Sequence, residues 1–160
     1  MTHSSVSRLL PLLAGVLLVT GCAGMRPAAE TTSDAAVTTG VLVDGSVRGD
    51  TDDRRLAESW KAAEEARLAG DDGAALESLY QGLEVDPRNS LFWSRAAEIQ
   101  LRNAEPALAE SFAIKSNAFA GENAQLLYRN WLIIEQSRDL RGDLLGVRSA
   151  HKKVQQYQYR

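Results

Sequence analysis

The chain has 160 residues and a net charge of −3, with 18 Lys and Arg set against 21 Asp and Glu. That length holds one ordinary domain plus accessory segments, and so balanced a charge supplies no basic field for nucleic acid. Cys22 is the sole cysteine, which excludes an intramolecular disulfide and any cysteine-built metal cage.

At the amino end, Arg8 precedes the apolar run Leu9 to Val19. That run is about half of the ~20 residues a membrane-spanning helix needs, and Pro11 interrupts it. It matches the core of an export signal instead. The run closes in Val19-Thr20-Gly21-Cys22, which resembles the lipobox of bacterial lipoproteins. There, small residues let the chain lie extended in the signal peptidase cleft, and the cysteine thiol carries the diacylglycerol. The resemblance implies a lipoprotein signal peptide over residues 1–21 and lipidation at Cys22. Several acyl chains on one cysteine give stable anchoring, where one alone is marginal. Ala23, rather than Asp, follows the cysteine; by resemblance to enteric-type sorting, this implies the outer membrane, with the chain facing the periplasm.

Residues 22–50 are rich in Ala, Thr, Gly and Asp and show no helical apolar period. They read as a lipidated, flexible linker, reaching about 95 Å when fully extended. Val41-Leu42-Val43 is open to two readings, a short strand or docking patch and a chance apolar cluster, and the second is the simpler.

From Thr51 onward apolar residues recur at helical spacing, separated by Gly-Asp or Pro punctuation, and residues 51–160 form the expected domain. The first helix starts at Asp52-Asp53 and breaks at Gly70-Asp71-Asp72-Gly73. A second runs from Ala74 to Val85 and closes at Asp86-Pro87. Asn89 or Ser90 caps a third, which extends through Arg102. The fourth opens at Glu105-Pro106, where Pro suits the first turn, and ends near Gly121. The fifth runs from Glu122 to about Arg141, and the sixth follows Gly142-Asp143 to about Tyr157. The fold class is therefore all-α, six helices in three pairs.

Leu56 to Asn89 resembles a tetratricopeptide repeat. Gly70-Asp71 falls at the inter-helix turn, Ala63, Ala75 and Gly82 at the small positions, and Pro87 at the closing turn. Small residues are needed there because helix backbones approach closely only where side chains are small. Ser90 to Asn123 repeats the pattern with Trp93, Ala97, Ala109 and Ser116, closing on Ala120-Gly121 without Pro. A third unit from Tyr128 keeps Trp131 and Gly142-Asp143 but carries Glu135, Val147 and Val154 where small residues belong. It reads as a degenerate capping repeat. Trp60, Trp93 and Trp131 recur at nearly one repeat length and support the register.

No catalytic set can be assembled. His151 is the only histidine after the signal, and no HExxH, phosphate-cradling glycine loop or calcium-loop spacing is present. Glu64-Glu65 and Asp71-Asp72 read as a solvated face and a capping turn. Neither an enzyme nor a cofactor is expected, and no small-molecule substrate or nucleic acid. Charge is instead polarised: residues 51–110 carry 7 Lys and Arg against 13 Asp and Glu, net −6, and residues 111–160 carry 8 against 4, net +4. Such a field steers association with a complementary partner. In tetratricopeptide domains the first helices of successive repeats line a groove. The positions that face it are occupied here by Trp60, Glu64, Arg67, Ser94, Glu98, Arg102, Arg129 and Gln136. Trp60 admits a second reading, as core.

The blocks Ile114-Lys115-Ser116-Asn117-Ala118-Phe119-Ala120-Gly121 and Arg129-Asn130-Trp131, together with the lipobox, short linker and small repeat domain, resemble the LpoP family. Its members are outer-membrane lipoproteins that activate a class A penicillin-binding protein. The resemblance implies binding to that bifunctional peptidoglycan synthase and its stimulation without chemistry of the chain's own. The alternative on the same architecture is a pilotin for secretin or pilus assembly, or an adaptor for periplasmic hydrolases. Pilotins of this kind carry more than three repeats.

Overall fold

The computed structural model describes residues 38–41 and 47–159. The expected signal peptide, Cys22 and Leu42-Val43 lie outside them. Six helices form where period and punctuation place them: α1 (Arg54–Leu68), α2 (Asp72–Val85), α3 (Ser90–Arg102), α4 (Pro106–Phe119), α5 (Ala124–Leu140) and α6 (Leu144–Gln158). Local chemistry fixes the starts. Asp53, Asp71, Asn89, Asn123 and Asp143 each accept a hydrogen bond from a first-turn backbone N–H, which satisfies a donor the helix itself cannot. Helix α4 has no such side-chain bond after Glu105 and opens on Pro106 instead, whose missing N–H removes one orphan.

The turns inside the three hairpins share one device. Gly70, Ala104 and Gly142 sit at φ of 80°, 59° and 74°, each directly before a helix N-cap. Glycine adopts this left-handed conformation freely. Ala104-Glu105 is thus the second unit's worn copy of Gly-Asp, one 34-residue period after Gly70-Asp71.

Each hairpin packs on the next, as in a repeat array of nearest neighbours. One core joins the first two units through Leu56, Trp60, Leu79, Leu91, Phe92 and Ile99. A second core, built on Ala97, Ala109, Ala113, Ile133, Ile134 and Ala150, joins the second unit to the third. Small residues set the spacing: a Cβ on Gly82 would stand 2.0 Å from the Phe92 ring, so α2 and α3 approach only because that Cβ is missing. Helix α3 is the centre, with eight of its thirteen residues buried. The third unit departs from the expected pattern in a useful way, since Ala150 fills the tight position on α6 and Glu135 is turned to His151.

One expectation needs correction. The stretch 22–50, read as a flexible linker, contains a hairpin: β1 (Thr38–Val41) pairs antiparallel with β2 (Val47–Asp50), Thr38 opposite Asp50 and Val41 opposite Val47. β-branched residues at 38, 39, 41 and 47 favour strand, and a tertiary contact holds it. Strand β2 touches α1 and α3, and a Cβ on Gly49 would lie 2.6 Å from Cδ2 of Trp60. The strand backbone therefore rests on the indole face, as only glycine permits. The boundary at Thr51 marks where the helices begin, and regular structure begins earlier.

Candidate functional site

The first helices of the three units are joined by a row of charges. On α1, the Arg67 guanidinium donates to Glu64 at 2.9 Å. From α3, Arg95 Nε lies 2.8 Å from the other oxygen of Glu64, and Arg95 also donates to Glu98. Glu98 in turn accepts from Arg129 on α5. The row Arg67–Glu64–Arg95–Glu98–Arg129 spans α1, α3 and α5. It is a product of the repeat: Glu64 and Glu98 stand 34 residues apart, and so do Arg95 and Arg129. Sequence reasoning placed four of the five on this face and missed Arg95, its centre. The 34-residue recurrence of both residue types was the signal that finds it.

Arg95 is 3% exposed and lies over the Trp60 ring at 5.6 Å. A guanidinium stays charged in such a place, so its neighbours must be anionic. Burial pushes the Glu98 carboxyl up, but Arg129 and Arg95 together outweigh it and hold the group below the usual carboxylate range. Burial lowers Arg129, and Glu98 only partly offsets this. Arg67 is raised by its hydrogen bond to Glu64.

A second set of pairs links neighbouring units at the hairpin tips. Arg102, at the end of α3, donates to Asp72 at the start of α2, with Nε at 2.9 Å, and this raises the arginine above its ordinary value. Arg138 and Arg141, at the end of α5, likewise pair with Glu110 near the start of α4. The same brace therefore recurs from unit to unit.

Beneath the charged row is a buried polar network. Ser94 Oγ donates to Asn130 Oδ1 at 2.7 Å, and Asn130 Nδ2 donates to Ser116 Oγ at 2.7 Å and Asn117 Oδ1 at 2.9 Å. Ser116 Oγ donates to the carbonyl of Ser90 at 2.7 Å. Ser94, Ser116 and Asn130 are fully buried. Paired polar groups in such a place specify one packing arrangement. The Ser116-Asn117 and Asn130 positions of the two sequence blocks thus lock α3, α4 and α5 together.

The eight groove candidates divide accordingly. Glu64, Arg67, Glu98 and Arg129 come together in the row, and Arg102 stands at its edge in the brace to Asp72. Ser94 is a correction and Trp60 takes the second of its two readings, as core: both are interior. Trp60 is covered by Gly49 and packs on Phe92 at 5.2 Å, and Ser94 is consumed by Asn130. Gln136 is exposed further along α5, in a shallow hollow with Leu132, Glu135, Asp139 and Val147. The other two tryptophans pack. Trp93 Nε1 donates to the Pro87 carbonyl at 2.9 Å, with Lys115 over its ring, and Trp131 lies against the second core. His151 Nδ1 is 2.9 Å from Glu135 and Nε2 is 3.1 Å from Gln155.

No helix among the described residues is long and apolar enough to cross a membrane. No protein-family model and no curated protein matches the chain. Among solved structures, it is similar to the globular C-terminal domain of P. aeruginosa LpoP. The two share 26% identity at a TM-score of 0.60, over 64% of this chain and 97% of that domain. The helical domain is LpoP-like, an all-α array of the tetratricopeptide type.

Proposed function

We propose that this chain is a lipid-anchored periplasmic binding module that activates a bifunctional class A penicillin-binding protein in peptidoglycan synthesis. The observation that carries the reading is the likeness to the LpoP domain across 97% of that domain's length. The lipobox ending at Cys22 supplies the anchor, and the outer membrane is the surface it enters. Activation of this kind is allosteric: the module binds one state of the synthase more tightly and so shifts its population. Such a role needs recognition surfaces and no catalytic group.

The test incubates the chain with the class A synthase of the same organism and measures glycan polymerisation and peptide crosslinking. Faster synthesis with the chain present supports the reading. Absence of both binding and stimulation overturns it. For the anchor, metabolic labelling with a radioactive fatty acid should mark the wild-type chain, and Cys22→Ser should abolish the label.

A further inference from the structure

Trp60 holds a groove position on α1, one helical turn before Glu64 and the charged row, and it is nonetheless buried. From α3, Arg95 lies over the ring at 5.6 Å and Phe92 packs against it at 5.2 Å. Strand β2 supplies further cover. A Cβ on Gly49 would stand 2.6, 2.8 and 2.9 Å from Cδ2, Cε2 and Cγ of the indole, and β2 touches α3 as well as α1. The chain thus lays an extended segment of its own across two of the groove-lining helices. That segment ends at Asp50, and α1 starts on its own cap, where Asp53 Oδ1 accepts from the Arg55 N–H at 2.8 Å. Strand β2 can therefore leave without unwinding α1. A two-stranded hairpin is marginal by itself, so it depends on this seat, and elements of low local stability open before the cores do.

Resting on the proposed role as a partner-binding activator, we infer that β2 is a displaceable strap: it fills the Trp60 end of the groove in cis, and an extended segment of the partner takes its place when the two bind. The kind of occupant follows from β2 itself, which shows that the seat accepts extended backbone with a small residue on the indole. A released indole with a guanidinium on its ring suits such an anchor, because interfaces concentrate binding energy in Trp and Arg. While the strap is seated, the groove is closed at that end. Apparent affinity then falls in proportion to the fraction of molecules in the open state, so the strap sets a threshold for engagement.

The experiment compares the affinity of the purified chain for the class A synthase in wild type, Gly49→Val and Gly49→Pro. Valine drives a side chain into the indole, and proline interrupts the strand ladder. Gly49 lies outside the helices, so both variants should keep the wild-type helical circular dichroism. Each should bind about fivefold or more tightly, because the closed population is removed. Binding by the variants alone, with none by wild type, upholds the strap as well. Unchanged or weaker affinity in both variants overturns the strap and leaves the activator reading intact. If neither wild type nor variant binds the synthase, the activator reading falls. The strap is then decided by a synthetic peptide of residues 38–53, added at about 1 mM to Gly49→Val and followed through the Trp60 indole N–H resonance. Return of that resonance to its wild-type position upholds a seat that exchanges extended segments. A resonance that does not move overturns it.

Discussion

Replacing Arg95 by Met tests whether the charged row is structural. Methionine keeps most of the apolar stem and removes the guanidinium. Two contacts to Glu64 are lost, with Nε at 2.8 Å and Nη2 at 3.3 Å, together with the pair to Glu98 and the position over Trp60. Breaking a fully buried pair costs about 3–5 kcal/mol because a charge is left unmatched. Here each glutamate retains one arginine, Arg67 or Arg129, and their side chains are 22% and 33% exposed. Solvation of that degree moves the loss to the lower end, about 2–3 kcal/mol with the cation–π contribution included. Urea denaturation followed by circular dichroism should show that loss, with a fall in Tm of about 10–15 °C for a domain of this size. The loss should persist in about 0.5 M NaCl, since buried pairs are screened far less than exposed ones. A loss below about 1 kcal/mol, or one that vanishes in salt, would mean that the row is a solvated surface feature.

Gly82→Ala places a Cβ against the Phe92 ring edge and should cost about 2–3 kcal/mol by overpacking, read from the same denaturation curves. Ala104→Gly relieves the left-handed strain at φ 59° and should raise stability by about 0.5–1 kcal/mol; an unchanged or lower midpoint refutes it. Glu98 is held below its ordinary range, so its stabilisation is fully present above the unfolded value of about 4.3 and is lost as pH falls through the lower folded value. Between about pH 5 and pH 3, wild type should therefore lose more stability than Glu98→Gln; parallel curves would remove Glu98 as the titrating group.

Helix placement was legible because its causes are local. Caps such as Asp53 and Asn89, and the turn glycines Gly70 and Gly142, act within four residues of where they stand. Gly82 was legible as a small position because the repeat fixes which helix faces meet. The hairpin was not, since four-residue strands gain little alone and β2 is held by Trp60, a contact between Gly49 and a residue on α1. Ser94 was misplaced for a related reason. Its partner Asn130 is 36 residues away on α5, and nothing near Ser94 in the chain reveals an interior acceptor. The charged row was half legible, because face assignment works one helix at a time and Arg95 acquires its role only from two neighbours.

The register of the β-hairpin also decides how the domain responds to load. Thr38 lies opposite Asp50, so a pull on the preceding chain acts on the open end, and the strands separate like a zipper, one pair at a time. That geometry yields at low force because successive hydrogen bonds are strained in turn. Complete opening from Thr38 to Asp50 would release about 40 Å of slack. The chain would lengthen before any helix felt the tension, with the seat of Gly49 on Trp60 the last grip to give way.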